Sequence, residues 1–256
     1  MKIIKINIKI NIKININMKI KVGSIRFING KRVYPETPDG YKLVEVMTKC
    51  SKYSSLSPYC LKNNNGEIME NIWQFSKIYK QIEKQSIKYS NWNNTVIWEH
   101  DKEIHISDDN KILDEYWSWR EKGFKCQNAI RYPVGFKNRS KCLGAIINKE
   151  SDIKLNYIES RKQIYLPVYM DMVKNVPDFI TLKNSNENLF IIEVDGPKSE
   201  YNSYYKKKYN TDMSIVDNII DITYEKMSIL LNDETNPFGH GFCLAMSLLD
   251  MDYSDM

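Results

Sequence analysis

Glu70, Gln74 and Lys77 stand at i, i+4 and i+7 within GEIMENIWQFSKIYK (66–80). At 3.6 residues per turn this spacing places a carboxylate, an amide and an amine on one helix face. A lysine amine beside a carboxylate can attack an electrophilic carbon while the carboxylate moves a proton. That chemistry requires the amine's pKa to be lowered by burial or by a cationic neighbour. The same three residues also fit the solvated face of an ordinary amphipathic helix. Ile68, Ile72, Phe75, Tyr79 and Ile82 recur in three- and four-residue steps and predict one helix across the whole stretch. Trp73 and Ile72 widen its apolar arc beside the polar stripe, leaving less of the helix free to meet water.

Other residues offer chemistry with less specific spacing. Glu193 and Asp195 in IIEVDGP lie two apart at an expected strand end, so both point to one side. They read either as site carboxylates or as a solvated strand end with an Asp195-Gly196 turn. His240 sits between Gly239 and Gly241 in NPFGHGF, where glycine permits backbone N–H groups to approach an anionic ligand. Alternatively it is a plain loop histidine. Arg120 in EYWSWREKG and Arg131 in RYPVG lie among aromatics. Aromatic rings could stack on a base while arginine pairs with phosphate, or these are core tryptophans with capping arginines. His100 and His105 in WEHDKEIH do not form H-E-x-x-H, and no metal site or cofactor is expected.

The elements that must position these groups read as α+β, predominantly helical with a few short strands. Residues 19–46 alternate short strands and turns, with Asn29-Gly30 marking a hairpin. A second helical stretch is expected over 81–88. A helix pair, or one helix kinked at Pro167, is expected over 157–179. Asn188–Glu193 reads as a buried strand, 198–211 as a loop or insertion, 213–231 as an amphipathic helix, and CLAMSLLDM as the start of a last helix. Residues 1–17, MKIIKINIKINIKININ, are a low-complexity extension, and residues 18–256 form one domain without a Pro/Gly/Ser-rich linker.

Thirty-seven basic residues against 32 acidic ones leave a net charge of +5, which suits a phosphate-bearing ligand better than a dedicated nucleic-acid protein. Five cysteines without a C-x-x-C pair suit reduced thiols, and no apolar run is long enough to span a bilayer. A soluble, cytoplasmic protein is expected.

MENIWQFSK carries E-x-x-x-Q-x-x-K, which resembles the signature of the NADAR family. The lead-in SSLSPYCLKNNNGEI is similar to that family's Leu-Ser-rich opening. ESRKQIYLPVYMDMV, LFIIEVDG and PFGHGF follow in the family's order, so the resemblance touches residues 54–251 and is densest over 70–77. Phe238 stands where the family has Trp, and WSWR…RYPVG has no family counterpart. The resemblance implies N-glycoside cleavage, which family members perform on riboflavin-pathway intermediates or ADP-ribosylated guanine bases. It casts Lys77 as the nucleophile, Glu70 as the proton relay and Gln74 as the group orienting ribose hydroxyls. Trp73 lies beside them, Arg161 would take the phosphate, and Glu193, Asp195 and the Gly239–Gly241 backbone would complete the pocket. The implied partner is a phosphoribosyl or ADP-ribosyl substrate, with nucleic acid as the carrier where that substrate is a base in a strand. Two other readings remain: a non-catalytic nucleotide or ADP-ribose binder, and a DNA-associated base-modification protein.

Overall fold

The computed structural model describes residues 18–46, 52–87, 97–133, 140–151 and 153–256. The expected extension over 1–17 lies outside the described residues. The strands are β1 (Ile20–Ser24), β2 (Arg26–Ile28), β3 (Lys31–Val33), β4 (Tyr41–Glu45), β5 (Lys77–Tyr79), β6 (Gln81–Ile82), β7 (Gln85–Ile87), β8 (Trp98–His100), β9 (Glu103–Ile104), β10 (Cys142–Ala145), β11 (Asn188–Glu193) and β12 (Ile219–Asp221). The α-helices are α1 (Met69–Phe75), α2 (Asp114–Phe124), α3 (Tyr157–Ser160), α4 (Leu166–Val173), α5 (Pro177–Asn184), α6 (Asn202–Tyr209), α7 (Tyr224–Leu231) and α8 (His240–Leu248). This is the expected α+β class.

The largest sheet has the order β12-β1-β11-β4, with β11 parallel to β1 and β4, and β12 antiparallel to β1. A strand flanked by parallel neighbours and covered on both faces should be apolar throughout, as Leu189-Phe190-Ile191-Ile192 is. Leu189 and Ile191 join Ile20, Val22 and Val44 in the main core, together with α4, α7 and α8. Phe190 and Ile192 pack on the other face with Ile25. All nine residues of α8 are buried, so this helix runs through the main core rather than over it.

A second, aromatic core lies to the other side of α1. Phe75, Trp98, Trp119, Tyr116, Tyr79 and Tyr132 fill it, with Phe75 and Trp119 centroids 4.5 Å apart and Tyr79 meeting Tyr132 edge-on at 5.2 Å. Gly123 is required there, because a Cβ on it would run into the Phe75 ring. Met69 at the start of α1 belongs to the main core and Phe75 at its end to the aromatic one. The short helix therefore spans the seam.

Several expected elements differ. The helix expected across 66–82 stops at Phe75; residues 77–79 leave it as β5 and pair antiparallel with β10. Lys-Ile-Tyr suits a strand as well as a helix, and the tertiary pairing decides. Residues expected as a helix over 81–88 form β6 and β7 instead, paired with β9 and β8. The expected helix over 213–231 opens as β12. Asp217 and Asn218 take left-handed φ of 51° and 62°, which no helix tolerates, and α7 begins only after the Thr223 cap. The polar stretch 198–211 contains α6 rather than a loop. Over 157–173 the backbone stays helical through a π-turn at Arg161–Tyr165. There the Leu166 N–H reaches the Arg161 carbonyl just before Pro167, and α5 follows separately. The hairpin forms as expected, Asn29 and Gly30 both taking the positive φ that its tight turn needs.

His105 gives the aromatic core a pH dependence. Fully buried, with its ring 5.0 Å from Trp119, it has its pKa lowered from 6.5 to about 4 by burial and then by neighbouring His100. A lowered folded-state pKa means stability that is complete above pH 6.5 and is lost as pH falls toward 4. Denaturant unfolding of wild-type protein should therefore lose roughly 3 kcal/mol across that window. A His105→Phe variant should show a flatter profile; an unchanged pH slope would exclude His105 as its source.

Candidate functional site

Backbone bonds fix the start of α1 before any side chain acts. Met69 N–H donates to the Leu61 carbonyl and Glu70 N–H to that of Pro58, both at 3.0 Å. Those acceptors belong to the SSLSPYCL lead-in, so this segment positions the helix. Asn71, fully buried, fixes the other side: its amide donates to the Cys126 and Asn128 carbonyls at 3.0 and 2.9 Å, and its Oδ1 accepts from Ile130 N–H at 2.8 Å. Sequence reasoning passed over Asn71. The available signal was an Asn, a poor helix former, in the interior of a short helix.

Glu70 and Gln74 are 6% and 9% exposed, which removes the solvated-face reading. Gln74 Nε2 donates to Glu70 Oε1 at 2.7 Å, and Lys77 Nζ donates to Gln74 Oε1 at 2.8 Å. Amine, amide and carboxylate thus form one directed polar row. Its two ends set which way the Gln74 amide points. The helical spacing holds for Glu70 and Gln74, whereas Lys77 joins them from β5. Lys77 Nζ also lies 4.6 Å from the Trp73 ring centroid, and Trp73 packs on Tyr165 at 5.0 Å.

The electrostatics place further groups nearby. Burial pushes the Tyr59 phenol well up, Glu70 adds to this, Arg131 opposes it, and Asp195 and Glu193 add again. Tyr165 is raised by burial and then by Cys243, Glu70, Glu193 and Asp195. Both phenols sense Glu70, Glu193 and Asp195, and Tyr59 senses Arg131 as well. Neither tyrosine was singled out in the sequence. Arg131 and Asp195 are exposed and can meet a ligand.

The glycine loop and its partners have another task. Glu193, 1% exposed, accepts from Val194 N–H at 2.7 Å, Asp195 N–H at 3.0 Å and Gly241 N–H at 2.5 Å. His240 Nδ1 lies 3.5 Å from the same carboxylate, and His240 Nε2 is 3.2 Å from the Val46 carbonyl. A Cβ on Gly239 would enter the Glu193 carboxylate, and one on Gly241 would come within 2.9 Å of it. The anion that these glycines admit is therefore Glu193 itself rather than a ligand phosphate. Glu193 and Asp195 also part ways at the strand end, one buried and the other exposed.

Two arginines are clamps on carbonyls. Arg161, 2% exposed, donates to the Leu230, Leu231, Asp233 and Asn236 carbonyls at 2.9–3.2 Å. The first two end α7, whose last carbonyls have no partners within the helix. This use displaces the phosphate role expected for Arg161. Arg120 likewise donates to the Ile146 and Ile147 carbonyls and rests against Phe124 and Trp117, a capping arginine rather than a base-and-phosphate contact. Among the described residues no group of three His, Cys, Asp or Glu could hold a metal ion, and no helix is long and apolar enough to cross a membrane. Comparison with known protein families, with curated proteins and with solved structures finds no match for this sequence.

The Arg161 clamp and the Glu193 junction can each be tested in a stability measurement. Arg161→Met leaves four buried carbonyls without their donor and should cost about 3 kcal/mol or more in urea unfolding. Glu193→Ala orphans three N–H groups and should cost a similar amount, roughly 3 kcal/mol. An Arg161→Met protein as stable as wild type would remove the clamp.

Proposed function

We propose that this protein is an N-glycosidase that cleaves a ribosyl C–N bond in a phosphorylated, nucleotide-like substrate or an ADP-ribosylated base. The observation that carries this reading is the Glu70–Gln74–Lys77 row, a buried carboxylate and a half-buried amine held in order by one buried amide. The E-x-x-x-Q-x-x-K spacing shared with the NADAR family supports it. In the proposed reaction the neutral Lys77 amine forms a bond to the anomeric carbon. The glycosidic C–N bond breaks, and its electron pair leaves with the departing nitrogen. Protonated Glu70 gives that nitrogen its proton; the resulting carboxylate then activates water, which releases the sugar from Lys77 and restores the amine. Gln74 orients the ribose hydroxyls, Trp73 walls the sugar, and exposed Arg131 takes the phosphate in place of Arg161.

A second reading, a non-catalytic nucleotide or ADP-ribose binder, is favoured by one contact. Lys77 donates to Gln74 and lies over the Trp73 ring, a position that suits the ammonium form rather than the nucleophilic amine.

Intact-mass spectrometry after incubation with ribose 5-phosphate and borohydride separates the two. Opening of the ribose ring turns the Lys77 glycosylamine into a Schiff base that borohydride reduces, so the catalytic reading expects a reduced adduct on Lys77 that disappears in Lys77→Ala, with the variant still folded. Tight binding of ADP-ribose without adduct or product would establish the binder instead. For a substrate that is turned over, Glu70→Gln should lower kcat about 100-fold or more while KM changes little. Unaltered kcat would remove Glu70 from the proton transfers.

A further inference from the structure

The hairpin β2–β3 has no counterpart in the proposed reaction. All six of its strand residues are exposed on a two-stranded ribbon that joins no other strand among the described residues. Phe27, Ile28, Val33 and Tyr34 are 55%, 46%, 42% and 44% exposed, and Arg26, Lys31 and Arg32 stand among them with no acidic residue between 26 and 34. Arg26 reaches Glu200 at 3.5 Å, which ties the ribbon to the segment leading into α6. That segment continues to exposed Lys206, Lys207 and Lys208, the last of these lying over the Tyr204 and Tyr209 rings. Residues 26–34 and 198–210 together hold seven basic side chains against Glu200 alone, a net of +6 in a protein whose total is +5. The ribbon and the segment leading into α6, tied together by the Arg26–Glu200 pair, thus carry a local positive excess beside exposed aromatic rings.

We propose that this surface docks duplex DNA, with the β2–β3 ribbon entering the major groove and the α6 lysines on the flanking phosphates. A two-stranded ribbon fits a B-form major groove, whereas the major groove of A-form RNA is too narrow for side chains to read. Duplex phosphate supplies the charge that seven cations and one anion require. The exposed aromatic and aliphatic groups of the ribbon then meet base edges, including thymine methyls. The ribbon also stands in a productive place. Ile25, just before it, donates its N–H to the Glu193 carbonyl at 2.8 Å, and β1 and β11 run parallel, so the ribbon rises from the sheet end that carries Glu193 and Asp195. The surface does not depend on the N-glycosidase reading, since docking requires no turnover.

The test is fluorescence anisotropy of the full-length protein with a 20-base-pair duplex DNA over a series of salt concentrations. Wild-type affinity should fall with salt, and Lys31→Ser/Arg32→Ser should reduce the slope of log K against log salt by about 1.8, close to 0.9 per lost phosphate contact. Lys206→Ser/Lys207→Ser should reduce it by a similar amount. Phe27→Ser should weaken binding with the slope unchanged. The substituted side chains are exposed, and circular dichroism verifies that each variant is folded. The proposal is overturned by absence of duplex binding, by a slope indifferent to the ribbon pair, by preference for double-stranded RNA, or by binding to anionic vesicles that DNA does not compete away. A failure here leaves the borohydride adduct on Lys77 untouched, so the two readings fall separately.

Discussion

A buried carboxylate holds the centre of this molecule together. Glu193 ends β11, an inner strand of the main sheet, and accepts three backbone N–H groups, one of them in the first turn of α8. A negative charge there is matched by the positive end of the helix. His240 extends the arrangement to Val46, just past β4. Glu193 and His240 thus join the ends of two parallel strands to the start of the most deeply buried helix. Two glycines are its condition, because any side chain at 239 or 241 would occupy the space of the carboxylate.

The candidate site sits beside this junction but is built differently. Two cores meet along α1, one of aliphatic residues around the sheet and the other of stacked rings. Asn71 ties the helix to the loop at Cys126–Ile130, and the Pro58 and Leu61 carbonyls tie it to the lead-in. The side of α1 between these attachments faces neither water nor hydrocarbon alone. That is why Glu70 and Gln74 can be buried there, with Lys77 half-buried beside them, and satisfy one another. A carboxylate and an amine joined through an amide cost less there than either group would without a partner.

Much of this was legible in the residues. Alternating short strands, the Asn29-Gly30 turn and the apolar run ending at Glu193 announced themselves through local chemistry; the last helix did too, but it begins at His240, inside the stretch expected as a glycine loop. The polar row was legible too, although for a partly different reason. Glu70 and Gln74 share a helix face, while Lys77 arrives from a strand whose pairing with β10 depends on residues some sixty-five positions away. Periodicity cannot report a partner that distant, and it failed in the same way at 81–88. At 213–231 the apolar spacing fitted a helix, but Asp217 and Asn218 adopt the left-handed region and break it. The arginines were misread because a charged side chain looks the same in sequence whether it meets a phosphate or four carbonyls. Tyr59 and Tyr165 carried no spacing signal; only the fold brings them to the carboxylates.

The position of α1 across the seam has a mechanical consequence. Glu70 is anchored through its own N–H to the lead-in, whereas Lys77 rides on β5 with the aromatic core. A shift of about 1 Å of β5 against α1 would carry the Lys77 amine outside hydrogen-bonding range of Gln74, 2.8 Å away, while Glu70 and Gln74 stay joined on their helix. The row therefore acts as a strain gauge between two bodies. Substitutions among the distant rings, at Trp119 or Tyr132, would reach the candidate site by displacing it rather than by touching it.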